Sequence, residues 1–175
     1  MTLLLTSFTT WLAHQKSNSA DDLLERIERS NVYDCCYLRQ LPVEIEAASR
    51  KAIAFIQQIQ PSAIICCGMA ESRDRLSIES NARCRDSCLY TAVNLPQLVS
   101  CLSHTDISHD AGQFVCEGLY YQVLDYLRSG RFGAARAADL DIPCLFVHVP
   151  VLTTNNEEII VRDFETILNF LTTNK

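Results

Sequence analysis

Ser62-Ala63-Ile64-Ile65-Cys66-Cys67-Gly68 follows Pro61 and is the segment that points to the fold class. Ala63 to Cys67 is continuously apolar, so a strand there buries both of its faces. That is the mark of a central strand in a mostly parallel sheet covered by helices. Gly68 is expected to begin a loop at the strand's C-terminal end. Further strands are expected at Thr2–Ser7, Val32–Leu38 and Cys144–Val149, the last bounded by Pro143 and Pro150, with a weak one at Asp106–Ser108. Helices fill the gaps. Ser19 can cap a helix from Ala20, with Leu23, Leu24 and Ile27 on its apolar face. Val43–Ile59 places Ile45, Ala48, Ala52, Ile53 and Ile56 at helical spacing and stops before Pro61. Leu95–Leu102 opens with Pro96, Phe114–Leu127 carries Val115, Leu119, Val123 and Tyr126, and Glu157–Leu171 closes the chain. Strands alternating with helices through short connections give an α/β domain around a largely parallel sheet.

The 175 residues suit one domain, 1–175, with no repeat or linker. A net charge of -6 leaves no basic stripe for phosphates, which argues against nucleic acid as a partner. No apolar run is long enough for a bilayer, and Met1–Phe8 reads as a strand, not a signal peptide. The nine cysteines are odd in number, include two adjacent pairs and form no CxxC. Cys84 and Cys88 lack a second ligand pair at zinc-finger distance, so no metal site is expected. Cysteines inside apolar runs behave as small hydrophobes of a reducing compartment, and a cytoplasmic location is expected.

In such sheets, sites gather at the carboxyl ends of strands. Three segments fit. In Asp110-Ala111-Gly112-Gln113-Phe114-Val115-Cys116, a compact turn leads into a helix whose first turn holds Cys116. Unpaired N–H groups and the helix dipole there favour a thiolate and can hold an oxyanion; equally, Cys116 can be a space-filling thiol like its fellows. A thiolate needs a base close in space. His14, His104 and His109 lie in polar surroundings, whereas His148 interrupts the apolar run Leu145-Phe146-Val147-His148-Val149. It is either that base or a core ring satisfied by a backbone group. An acid to orient the imidazole is available at Glu71, Asp74 or Glu79, among which spacing does not choose. A run this charged usually means a solvated loop.

Taken in order along the chain, these segments resemble the pyroglutamyl-peptidase I family, the pyrrolidone-carboxylate peptidases. Thr6-Ser7-Phe8-Thr9-Thr10-Trp11 with Asn18-Ser19 is similar to the family's T-G-F-x-P-F and N-P-[ST]. Leu41-Pro42-Val43 is similar to its L-P-V. Gly68-Met69-Ala70 through Arg73, then Ser77-Ile78-Glu79, is similar to G-x-A-G-G-R and the x-x-E that supplies the catalytic Glu. Ser108–Cys116 resembles S-x-[ST]-A-G-x-[FY]-x-C, and Phe146-Val147-His148-Val149-Pro150 matches F-I-H-[VI]-P. The resemblance implies a three-layer sandwich with a twisted sheet and helices on both faces. It implies a cysteine peptidase that removes N-terminal pyroglutamate from peptides through a thioester, without metal or cofactor, and commonly as a homo-oligomer. It makes Cys116 the nucleophile, His148 the base and Glu79 its orienting acid. Phe8 and Trp11 become the aromatic walls of the lactam pocket, with Asn18 and Met69 beside them.

The departures are specific. The glycines after Ala70 are Glu71 and Ser72, the opening glycine is Ser7, and Ser80 replaces the Arg after the catalytic Glu. Glu117 stands where an Asn follows the nucleophile, and its charge is expected to raise a nearby thiol's pKa. The stretch from Ser80 to Asp110 is short and lacks A-R-I-P-D-N, whose Arg lies near the oxyanion; Arg83 and Arg85 are the nearby arginines. The alternative readings are a member that binds a small amide or peptide end without turnover, one with another specificity, or a cysteine-rich redox or metal protein.

Overall fold

The computed structural model describes residues 2–112, 114–129 and 142–173. Along the chain these form β1 (Leu3–Phe8), α1 (Ser19–Ser30), β2 (Cys35–Leu41), α2 (Ile45–Ile59), β3 (Ala63–Met69) and β4 (Leu76–Glu79). Then come β5 (Asn81–Cys84), β6 (Ser87–Tyr90), α3 (Leu95–Val99), β7 (Thr105–Ser108), α4 (Val115–Arg128), β8 (Cys144–Val149) and α5 (Glu157–Thr173). Six strands make one sheet in the order β2-β1-β3-β8-β4-β7. All neighbours are parallel except β4 and β8, so β4 and β7 run against the other four. A short β5–β6 hairpin stands apart from it.

The period-2 alternation of side chains splits the central strands between two cores. On one face Leu3, Leu5, Ile65, Cys67, Leu145 and Val147 meet Leu23, Leu24 and Ile27 of α1 and Phe164, Ile167 and Leu168 of α5. On the other, Leu4, Ile64, Cys66, Cys144 and Phe146 meet Ala48, Ala52 and Ile56 of α2 and Leu119, Tyr120 and Val123 of α4. Each fully buried Leu, Ile or Phe contributes about 1.5–3 kcal/mol. This is the expected three-layer sandwich.

Several local expectations change. Asn18, not Ser19, caps α1: its Oδ1 accepts the Ala20 N–H at 3.0 Å. Gly68 does not begin a loop but lies inside β3, which continues through Met69. The charged segment 68–79 is not a solvated loop throughout, because Leu76–Glu79 forms the fully buried β4. Its four residues are too short for periodicity to reveal, and their burial comes from pairing with β8 and β7. Phe114 is the N-cap residue of α4, not its first turn.

Two buried carboxylates tie the layers together. Ser7, at the position of the family's opening glycine, donates from Oγ to Asp21 at 2.6 Å, and Arg39 clamps both oxygens of Asp21 at 2.9 and 3.0 Å. Asp163 of α5 accepts from the Ser103 and His104 N–H groups and the Thr105 hydroxyl, which fixes the entry into β7.

Candidate active site

The site is assembled where β3, β8 and β4 meet the start of α4. Gly68 on β3 is the register partner of His148 on β8, and Ser77 of β4 pairs with His148 from the other side. Glu79 is the diagonal neighbour of His148, within reach of a long side chain. Its Oε1 lies 2.7 Å from His148 Nδ1, and Glu79 is wholly buried while His148 is 5 % exposed. Of the three candidate acids, the fold therefore chooses Glu79. Glu71 is exposed and bonded to His14 and Gln15, and Asp74 is exposed beside Arg75. Phe146, two residues from His148 on the same strand face, packs its ring against the imidazole with centroids 4.9 Å apart.

Burial pushes the Glu79 carboxyl up, but the His148 and Ser108 side chains and the Arg73 charge outweigh it. Its pKa lies below the ordinary carboxylate value. An ionised Glu79 accepts hydrogen bonds only, so Nδ1 of a neutral His148 carries the proton and Nε2 is left as the basic nitrogen.

Cys116 is the second residue of α4 and is partly buried. A Cβ built on Gly68 would lie 2.7 Å from Cys116 Sγ and 2.9 Å from Phe146 Cζ. The sulfur thus rests against the bare backbone of the residue paired with His148, and only glycine admits it there. The expectation of a stabilised thiolate is not met. Burial above all, and then the negative charge of Glu79, push the Cys116 thiol up to about 12. Glu117 is not the cause expected for this: its carboxylate accepts the Arg83 N–H at 3.1 Å. Upstream, Gly112 adopts φ +86°, a left-handed conformation that favours glycine, and its N–H bonds the Asp110 side chain at 3.0 Å.

Cys116 and His148 line one cavity of about 870 Å³. Phe8, Trp11, Asn18 and Met69 line it as well. Phe8 and Met69 are buried, whereas Trp11 is 45 % exposed at the mouth. Asn18 is engaged structurally, since it also donates to the Thr9 carbonyl, and Met69 Sδ accepts the Ser19 N–H.

Arginine is where sequence reading missed the arrangement. Arg83 and Arg85 are exposed and do not line the cavity. Arg73 does: it donates to Glu79 Oε1 at 2.8 Å and to the Asp110 carbonyl at 3.1 Å. One guanidinium therefore links the acid behind His148 to the turn that precedes Cys116. Its place in the Gly68–Arg73 motif was visible, but its partners come from β4 and the turn after β7. Ser80, in place of an arginine, instead bonds His109 Nδ1 at 2.7 Å.

No protein-family model matches the chain. A relative named pyrrolidone-carboxylate peptidase 1, from Caldanaerobacter subterraneus subsp. tengcongensis, is 22% identical over 179 residues, covering 87% of this chain and 83% of its own. One from Oceanobacillus iheyensis, named pyrrolidone-carboxylate peptidase, is 23% identical over 184 residues, covering 88% of each chain. The chain is a divergent relative of the pyrrolidone-carboxylate peptidases. Solved structures share the fold. A mutant pyrrolidone carboxyl peptidase from Pyrococcus furiosus superposes with a TM-score of 0.80 over 98% of both chains at 16% identity. The pyroglutamyl peptidase I of Bacillus amyloliquefaciens gives 0.79 over 99% of this chain and 95% of its own, at 18% identity.

Proposed function

We propose that this protein is a cysteine peptidase that hydrolyses an N-terminal pyroglutamyl residue from peptides. The observation that carries the reading is the buried Glu79–His148 hydrogen bond, 2.7 Å long, behind a cavity that His148 shares with Cys116. The names of its relatives supply the substrate class.

In this reading the thiol, held neutral at rest, gives its proton to His148 Nε2 as Sγ bonds to the pyroglutamyl carbonyl carbon. The raised thiol pKa argues for transfer during attack and against a preformed ion pair. Glu79 fixes the tautomer and stabilises the imidazolium that forms. N–H groups at the start of α4, unpaired within the helix, are available to the developing oxyanion. The imidazolium then protonates the leaving amine as the C–N bond breaks, leaving a thioester. Water, deprotonated by His148, cleaves that thioester and releases pyroglutamate, and the sulfur recovers its proton. Phe8 and Trp11 supply apolar walls for a flat, uncharged lactam, with Asn18 and Met69 beside them. The reaction calls for neither metal nor cofactor.

All nine cysteines are free thiols. That supports a reducing compartment, and we place the protein in the cytoplasm. No helix among the described residues is long and apolar enough to cross a membrane. A homo-oligomer accords with the family resemblance. A second reading, binding of a peptide end without turnover, is favoured by the thiol pKa of about 12 and by Glu71 and Ser72 at the loop. Hydrolysis of a pyroglutamyl fluorogenic amide, measured for wild type and Cys116→Ala together, separates them. Cleavage by the wild type alone supports the peptidase; none by either supports the binding reading.

A further inference from the structure

Glu71 has no part in the chemistry described above. It is exposed, lines the cavity and stands at a family glycine position. The turn that carries it is firmly held. The Arg73 N–H closes the turn on the Ala70 carbonyl at 3.1 Å, and the Ala70 N–H donates to the Val149 carbonyl at the end of β8 at 2.9 Å. Arg73 is fastened in turn to Glu79 and to the Asp110 carbonyl. From this base Glu71 reaches the loop after β1. Its Oε1 accepts from Gln15 Nε2 at 2.7 Å, and His14 Nε2 lies 3.1 Å from its Oε2. Gln15 passes the link on, because its own Oε1 accepts the Trp11 and Leu12 N–H groups at 3.0 and 3.1 Å.

That loop has little else to hold it. Its ends are pinned: the Thr9 N–H donates to the Leu41 carbonyl at 3.0 Å, and Asn18 Nδ2 donates to the Thr9 carbonyl at 3.3 Å. Between them, among the described residues, every hydrogen bond from residues 11–15 to another segment ends on Glu71. A second restraint is absent from the sequence. The family's T-G-F-x-P-F places a proline directly before its last aromatic, and Thr10 stands there. A proline fixes its own φ and narrows the conformations open to a loop, and a threonine does not. An isolated surface ion pair contributes little, but this carboxylate holds an amide already committed to two backbone N–H groups. Gln15 and His14 keep the Glu71 carboxyl below the ordinary carboxylate value, so it is an anionic acceptor at neutral pH.

We propose that Glu71 is a positioning residue: through Gln15 it latches the loop after β1 to the turn that carries Arg73, and so fixes Trp11 as a wall of the cavity. The proposal rests on the peptidase reading only for what Trp11 faces, the lactam ring. The carboxylate at a glycine position supplies the stiffness that Thr10, in place of the proline, does not. Removing the latch leaves the Glu79–His148 bond intact and frees one wall. Binding that is lost equally from ground state and transition state raises KM and spares kcat.

Trp11 is the chain's only tryptophan, so its fluorescence reports on this wall alone. The test is time-resolved fluorescence anisotropy of the free protein, beside kcat and KM on a pyroglutamyl fluorogenic amide. Glu71→Ala should at least double the amplitude of nanosecond depolarisation, the timescale of loop motion. It should raise KM at least threefold with kcat within twofold of wild type. Glu71→Gln keeps an oxygen for Gln15 Nε2 and loses only the charge facing His14, so it should reverse at least half of both effects. Unchanged anisotropy in Glu71→Ala, a mobile Trp11 with unchanged KM, or a fall in kcat in place of the rise in KM overturns the proposal. So does Glu71→Gln behaving as Glu71→Ala, since the link would then not run through Gln15. If the wild type hydrolyses no pyroglutamyl amide while the anisotropy of both variants changes as expected, the peptidase reading fails and the latch stands.

Discussion

Gly68→Ala is the sharpest perturbation the structure offers. The new methyl carbon would sit 2.7 Å from Cys116 Sγ and 2.9 Å from Phe146 Cζ, where relaxed contacts are about 3.5–4.0 Å. Sulfur, ring or strand must therefore give way by about 1 Å. Overpacking of this kind costs about 1–3 kcal/mol of stability, and a misplacement of about 1 Å at reacting groups costs about 100-fold in rate. Phe146 also packs on His148, so recoil of the ring moves the base as well as the nucleophile. The assay is kcat/KM on a pyroglutamyl fluorogenic amide beside urea unfolding of the same preparation. The expected result is a folded protein, destabilised by about 1–3 kcal/mol, with kcat/KM down about 100-fold. Wild-type kcat/KM within threefold would refute the inference that Cys116 works from its seat against Gly68.

Two further substitutions probe the buried carboxylates. Glu79→Gln removes the negative charge that fixes the His148 tautomer and should lower kcat about 10²–10⁴-fold. Folding holds Glu79 ionised below its ordinary value of 4.5, so on acidification the unfolded chain takes up this proton first. The stability Glu79 contributes is therefore present above about pH 4.5 and lost as pH falls through its lower folded value. Denaturation curves across that window should show a shallower acid limb in Glu79→Gln than in wild type, and identical limbs would contradict the assignment. Asp163→Ala leaves the Ser103 and His104 N–H groups and the Thr105 hydroxyl without their acceptor and should cost about 2–3 kcal/mol in urea unfolding.

The legible part of this protein is the part carried by long or continuous patterns. Cys144–Val149 was readable to the residue because prolines bound it on both sides, and the end of α2 because its apolar residues keep a helical period until Pro61, although its start falls at Ile45 after the Glu44 cap and not at Val43. Leu76–Glu79 was not readable, because four residues flanked by charges look like loop until β8 and β7 bury them. The same reason hid the choice of Glu79 over Glu71 and Asp74, which only pairing across strands decides. Gly68 illustrates the converse. In sequence a glycine after an apolar run signals a turn, whereas here it marks the close approach of a sulfur from a helix 48 residues away. The thiol's high pKa was invisible for a related reason. Helix position alone argues for a thiolate, and only the packing shows that burial and Glu79 overrule it.

The central claim is that Cys116 takes up the pyroglutamyl group. Rapid acid quenching of enzyme turning over a pyroglutamyl amide, followed by proteolysis and tandem mass spectrometry, tests it directly. The account predicts one pyroglutamyl thioester on the peptide containing Cys116, with the other eight cysteines unmodified and the adduct absent from Cys116→Ala. Turnover with no adduct at Cys116, or with the adduct on another cysteine, would contradict it.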